Sequence, residues 1–177
     1  GSGELPDYLV FEDTPWALYA SYIKTVIYGE GILNVGSSSF RDCKALTQVT
    51  LPSTVTKIGD YAFAGTGIVS VTLPSGLTVI NDGAFDGCSS LASLSLPDGL
   101  TSLGQNALRG PNLLGSIFLP ESLNFIGSCA VGCDGNNLPV PGFVIRGVSG
   151  SIAQNYAERN GLEFREDGYL ELTDGES

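Results

Sequence analysis

Histidine and methionine are both absent from this 177-residue chain. Without histidine the chain cannot form a Ser-His-Asp triad, a Cys-His nucleophile pair or an HExxH metal site. Catalysis would have to depend on carboxylates, lysine or cysteine, so we expect a protein that is not an enzyme and that uses no cofactor. Because methionine is missing, we also expect the natural protein to begin upstream of Gly1.

Basic residues are scarce as well, with eight Lys and Arg against nineteen Asp and Glu and a net charge of -11. Eight scattered cations cannot neutralise a run of phosphates, which argues against nucleic acid as a partner. No apolar run approaches the roughly 18 residues that span a bilayer, so we expect no direct membrane insertion. Carboxylates gather at the C-terminal end, at Glu158, Glu163, Glu166, Asp167, Glu171, Asp174 and Glu176.

The four cysteines form no CxxC pair, and with no histidine a zinc site has little to build on. Cys43 and Cys88 occupy the same position in alternate repeats, with Thr66 between them. If repeats stack about 4.8 Å apart, the two lie about 9–10 Å apart, beyond the roughly 7 Å Cα limit for a disulfide. We therefore expect both to be buried as small apolar residues, and a bridge between Cys129 and Cys133 stays open.

One sequence motif recurs along the chain. Residues 47–63 and 69–85 carry nearly the same pattern, and the Leu-Pro pairs begin at Leu51, Leu73, Leu96 and Leu119, with spacings of 22, 23 and 23 residues. A fixed period in this range predicts a solenoid, in which each repeat forms one coil stacked on the next.

Within a coil, buried Val49 alternates with polar Gln48 and Thr50, which is typical of a strand with one buried face. We predict that these strands pair into a parallel sheet whose inner column is Val49, Val71, Leu94 and Ile117. Proline at the strand end cannot continue the pairing.

The remainder of each coil returns along the opposite wall through Val55 and Ile58. We expect Asp60 to cap a one-turn helix that ends at Phe63, and a ladder of Phe40, Phe63 and Phe85 to thin to Leu108 and Val131 in the later coils.

The ends of the chain differ from the repeats. We assign residues 1–12 to a tag remnant and lead-in, 13–24 to an N-terminal helical cap, 25–146 to about five coils plus a final strand, and 147–177 to a C-terminal cap helix, short strand and acidic tail. In the first cap, Trp16, Tyr19 and Ile23 would face the first coil. In the second, Ser151 would cap a helix that ends at Gly161.

The unit at residues 46–63 resembles the BspA-type leucine-rich repeat of bacterial surface proteins, and residues 147–164 resemble the segment that commonly ends such arrays. The resemblance implies a mainly β solenoid of right-handed coils of about 23 residues with a parallel sheet, short helical turns and capping helices. It also implies a secreted or cell-surface location, a removed signal peptide, and adhesion or recognition of a protein partner such as a host matrix or cell-surface protein. It supplies no catalytic residues. We expect a monomer, and the alternative is a structural spacer that presents a neighbouring domain.

The candidate protein-binding positions point outward from the predicted strands. Short hydroxyl side chains suit a broad, flat partner, although a solvated sheet prefers the same residues. Two of the positions are phenylalanines, Phe118 and Phe125. Either residues 132–142 and the C-terminal cap cover both side chains, or both mark an apolar contact patch. The positions are Gln48, Thr50, Ser70, Thr72, Ser93, Ser95, Ser116, Phe118 and Phe125.

Two carboxylates share one coil position and offer the main alternative site. Asp60 and Asp82 would lie about 5 Å apart on adjacent coils. We interpret them as helix caps, with a calcium ladder or a glycan-hydrolysing pair as alternatives. Asp134, followed by Gly-Asn-Asn, is interpreted as a turn residue because the glutamate of a calcium loop is missing.

Overall fold

A computed structural model describes residues 3–4, 6–8, 13–110 and 114–167 as a mainly β solenoid of about six turns. Every strand pair within its sheets is parallel, and each pair joins one coil to the next. The strands are β1 Gly3–Glu4, β2 Thr25–Ile27, β3 Ile32–Val35, β4 Gln48–Thr50, β5 Lys57–Ile58, β6 Val79–Ile80, β7 Ser102–Leu103, β8 Ser116–Phe118, β9 Phe125–Ile126, β10 Val144–Gly147 and β11 Glu163–Glu166.

The most regular sheet lies on the wall that the sequence assigned to the returning chain. This second wall contains six strands in the order β1-β3-β5-β6-β7-β9. Ile58 pairs with Ile80 and Leu103 with Ile126, and all but Ile126 are completely buried. The lead-in also joins this wall, because Gly3 pairs with Ile32.

The first wall, where the sequence predicted one continuous sheet, is divided. β2 pairs with β4, and β8, β10 and β11 form a separate sheet. Between these two sheets the predicted strand pairing is reduced to two single bridges, Thr50 with Thr72 and Ser70 with Ser93. In the described residues, no backbone hydrogen bond joins 93–96 to 116–118. The prediction failed because alternating burial indicates an extended backbone but does not fix hydrogen bonding to both neighbouring coils.

A third wall, which we call the turn wall, consists of residues 37–42, 60–65, 82–87, 105–110 and 128–133. In the first four of these segments alternate amides donate to the next coil: Tyr61 N donates to Asp82 O at 2.9 Å and Phe63 N to Ala84 O at 2.8 Å. Left-handed residues such as Tyr61 (φ 53°) and Gly65 (φ 67°) produce this alignment. The predicted one-turn helix ending at Phe63 is therefore wrong, since these residues form hydrogen-bonded turns.

The phenylalanine ladder is confirmed. Phe40, Phe63 and Phe85 stack with centroid separations of 6.1 and 5.4 Å, and Leu108 and Val131 continue the buried column. Offset stacking at these distances stabilises an aromatic column beyond its burial.

The predicted state of the two inner cysteines is also confirmed. Cys43 and Cys88 are buried and unbridged, and the hydroxyl of Thr66 lies 3.3 Å from the Cys88 sulfur.

The N-terminal cap differs from the predicted helix. Residues Ala17–Tyr19 form only a single 3₁₀ turn, and the preceding residue Trp16 (φ -107°, ψ 6°) is not in a helical conformation. Trp16 does face the first coil, stacking on Phe40 at 5.2 Å. Tyr19 is 62% exposed, so its predicted contact with the coil is wrong, and Ile23 is half-buried.

At the C-terminal end, helix α1 (Ile152–Arg159) packs on β9, β10 and β11. Gly161 follows it with φ 66°, as a C-terminal glycine should. The Ser151 side chain makes no capping hydrogen bond, and Gln154 Oε1 accepts Gly150 N instead. Ser151 thus occupies the predicted N-cap position but lacks the side-chain hydrogen bond of a cap, and residues 168–177 of the predicted acidic tail lie outside the described residues. No described helix has the length and apolar character needed to cross a bilayer.

Candidate binding surface

The outward side chains of the first wall form a continuous polar surface, which we call the hydroxyl face. It is built by the strands and bridges that hold Val49 and Val71 inward, so the intervening side chains point to solvent. Ser116 is half-exposed and the other members are exposed. The members are Gln48, Thr50, Ser70, Thr72, Ser93, Ser95, Ser116 and Phe118.

No carboxylate occurs in the segments that form the hydroxyl face, 47–50, 69–72, 92–95 and 115–118, although the chain carries nineteen. Shallow grooves run between its coils. One, with a volume of about 340 Å³, lies between residues 70–73 and 93–95. Another groove, of about 260 Å³, lies between residues 94–96 and 116–118, which no backbone hydrogen bond joins in the described residues. Arg146 is its one charged lining residue. The four segments are therefore uncharged and accessible, and Arg146 is a charged neighbour at one of the grooves between them.

The two phenylalanines do not share a surface. Phe118 lies on β8 of the first wall, while Phe125 lies on β9 at the end of the second wall. They are 37% and 52% exposed, so neither residues 132–142 nor the C-terminal cap covers them. Phe118 belongs to the hydroxyl face, and Phe125 belongs to a different part of the molecule.

Asp60 and Asp82 take part in a side-chain ladder along the turn wall. Asp60 Oδ1 accepts Asp82 N at 3.2 Å, and Asp82 Oδ1 accepts Gln105 N at 2.7 Å. The ladder starts with Asp7 Oδ1, which accepts Ser37 N at 2.6 Å, and the bond from this amide lowers the pKa of Asp7. Each carboxylate thus caps the following coil, not a helix of its own coil as predicted. This role is structural, because the acceptor oxygen is already occupied by a backbone amide.

Residues 132–142 are held against the turn wall by Arg109. Its guanidinium binds Asp86 through two hydrogen bonds of 2.8 and 2.6 Å and donates a third, of 2.9 Å, to Asn137. Asp134 Oδ1 accepts the amides of Asn136 and Leu138, which confirms the predicted turn. In the described residues no group of three or more acidic or cysteine side chains could hold a metal ion.

Two aromatic residues close the ends of the turn wall: the sequence predicted that Trp16 would face the first coil, but it predicted neither the Trp16 hydrogen bond nor the role of Tyr156. Trp16 Nε1 donates to Ser39 O at 2.7 Å on the first coil. The Tyr156 hydroxyl accepts Val131 N at 3.0 Å and donates to Val131 O at 2.7 Å on the last. Burial raises the pKa of Tyr156, which keeps its proton available for this contact. The usable signal was the polar tip of each aromatic, which needs a partner when its ring is buried.

The four thiols are unpaired in the structure. Burial raises the pKa of Cys43 to about 11 and that of Cys133 to about 12, and it raises that of Cys88 too. Cys129 is the half-exposed member and lies 3.6 Å from Asn137 O. The buried thiols behave as small apolar core groups.

A family model described as the BspA type leucine rich repeat region matches residues 16–133 in six copies. This is one copy more than the five predicted coils, and the match begins inside the segment predicted as a cap. No curated protein matches the chain.

Several solved structures are similar. A leucine-rich repeat protein from Eubacterium ventriosum shares 28% identity with a TM-score of 0.65, covering 84% of this chain and 38% of its own. The T. pallidum leucine-rich repeat protein TpLRR shares 23% identity with a TM-score of 0.67, covering 93% and 91%. The pneumococcal vaccine antigen PcpA shares 20% identity with a TM-score of 0.63, covering 82% and 42%. The chain thus spans well under half of the E. ventriosum protein, and the last two likenesses concern the fold alone.

Proposed function

The chain belongs to the BspA-type leucine-rich repeat family, and on this premise we propose that it is a non-enzymatic recognition module, secreted or displayed on a cell surface, that binds a protein partner through the hydroxyl face. The family consists of bacterial surface proteins, which supports this location. The terminal segments act in this proposal as caps that keep a monomer of coils of about 23 residues from stacking further.

The observation that carries the proposal is the absence of charge on the hydroxyl face. The molecule as a whole has a net charge of -11, yet the segments bearing Thr50, Thr72 and Ser95 contain no acidic residue. Interface centres in proteins are depleted of charged residues, because desolvating a charge costs more than desolvating a hydroxyl. Phe118, at the end of the face, adds an aromatic group of the kind that supplies binding energy.

The proposal is tested on an array of purified extracellular-matrix and bacterial cell-surface proteins. Introducing carboxylates at the centre of the face, with Thr50→Asp and Thr72→Asp together, should weaken capture about tenfold or more, because two charges must then be desolvated. Ser75→Asp and Ser89→Asp, at exposed positions outside the face, are the matched control and should bind as the wild type does.

Equal loss in both double variants would point to general electrostatic repulsion and refute the role of the face. A wild-type protein that captures no member of the array would favour the alternative, a spacer that presents a neighbouring domain.

A further inference from the structure

Where the repeated hydrogen-bond pattern stops, at the C-terminal end of the solenoid, some backbone groups of the described residues lack the partners that their equivalents have. On the second wall, the carbonyls of Ile58, Ile80 and Leu103 accept the amides of Asn81, Gly104 and Gly127 at 3.0, 2.8 and 2.8 Å. The equivalent carbonyl in the last strand, Ile126 O, accepts no hydrogen bond from the described residues.

The turn wall ends in the complementary way. The amides of Tyr61, Gly83 and Asn106 donate to carbonyls of the next coil at 2.9, 2.8 and 3.0 Å. The equivalent amide, Cys129 N, has no acceptor in the described part of the chain, whereas nearby Val131 N donates to Tyr156. A free acceptor and a free donor thus lie three residues apart, on either side of the corner at Gly127.

Ile126 lines a groove, and Cys129 N is bonded to Ser128, which lines the same groove. This groove has a volume of about 260 Å³ and lies between residues 126–128 and α1. Its lining includes Ile126 and Ser128 on one side and Ile152, Tyr156 and Arg159 of the helix on the other. Arg159 is its one charged lining residue. This exposed arginine makes no ion pair with the described residues.

We propose that this groove binds the C-terminal end of an extended peptide from a partner protein. A peptide amide donates to Ile126 O, as a following coil would, and the terminal carboxylate accepts Cys129 N and pairs with Arg159. Ile126 and Ile152 contact the last apolar side chain. Carboxylates are recognised in proteins by free backbone amides together with an arginine.

This inference does not depend on the hydroxyl face, which lies on the first wall. Charge complementarity selects the occupant: Arg159 requires an anion, the neighbouring Cys129 N–H requires an acceptor that the same anion can supply, and Ile126 O requires an N–H donor. A peptide C-terminus carries the carboxylate and its last amide N–H on the same Cα, and a simple inorganic anion carries no amide.

The test uses the ¹⁵N-labelled protein and two pools of random octapeptides, one with free C-terminal carboxylates and one amidated. The free-acid pool should shift the Gly127 and Cys129 amide signals and the Arg159 Nε–H signal, and the amidated pool should bind about tenfold more weakly. Arg159→Gln should remove this preference, whereas Arg41→Gln, at the other end of the solenoid, should retain it.

Three results would overturn the proposal: equal shifts from both pools, a preference that survives Arg159→Gln, or no shift at all. Acetate at the same carboxylate concentration is the remaining control. If acetate alone reproduces the shifts, the groove is an anion site and not a peptide site. Because the hydroxyl-face variants are assayed against whole proteins, failure here and failure of the proposed function are distinguishable.

Discussion

Replacing Phe63 with alanine should cause a large loss of stability, because this side chain is the centre of the aromatic column. Phe63 is completely buried, and its ring stacks on Phe40 at 6.1 Å and on Phe85 at 5.4 Å. Truncating a buried phenylalanine costs about 3–5 kcal/mol, and the loss of two stacked neighbours puts this site in the upper half, about 4–5 kcal/mol. For a chain of this length each kcal/mol corresponds to about 2–4 °C, so the melting temperature should fall by about 8–20 °C.

Urea unfolding followed by far-UV circular dichroism measures this loss, and Trp16 fluorescence follows the first coil independently because Trp16 stacks on Phe40. Phe125→Ala is the matched control, since the same atoms are removed from a side chain that is 52% exposed. It should change the free energy of unfolding by no more than about 0.5 kcal/mol. A loss below about 1 kcal/mol for Phe63→Ala, or equal losses for the two variants, would refute the column as a main source of stability.

Two further predictions concern the close contact between coils and the thiols. Gly104→Ala should destabilise the protein by about 1–3 kcal/mol in urea titrations, because a Cβ there would lie 2.5 Å from the backbone of Asn81 and Asp82. In Gly76→Ala the new Cβ would meet nothing closer than 3.5 Å, so this control should be neutral or stabilising by up to about 1 kcal/mol, and a reversed order would contradict the packing described. Iodoacetamide at about pH 8 should modify the native protein at Cys129 alone, since Cys43, Cys88 and Cys133 are buried with raised pKa values. Intact-mass analysis should then find one label on the native protein and four after denaturation in urea, and prompt labelling of Cys88 in the native protein would show that the column opens.

The sequence was sufficient to predict features that depend on side-chain size and period. Phe40, Phe63 and Phe85 recur at the spacing of the coil, so their stacking follows from the repeat itself. The inward position of Val49 and Val71 follows from alternation with Gln48 and Thr72, and the pattern needs no knowledge of hydrogen bonding.

Features that depend on backbone pairing could not be predicted in the same way. Asp60 fits a helix N-cap and an acceptor for the next coil equally well, because both roles need a short side-chain oxygen beside a free amide. The regular sheet at Ile58 was missed because a strand of two residues has no period. The candidate positions at Thr50 and Phe118 followed from alternation, whereas the groove beside Arg159 arises from pairing that stops, and no residue pattern marks such an end.

The aligned amides of the turn wall have a consequence for how such molecules change length. Each coil receives hydrogen bonds from the coil before it and gives equivalent ones to the coil after it, as Phe63 N does to Ala84 O. On the turn wall, an internal coil can therefore be duplicated or deleted as a unit in the gene without leaving unmatched amides and carbonyls. Only the copies beside Trp16 and Tyr156 are not interchangeable, so variation in repeat number among descendants should be confined to the interior of the array.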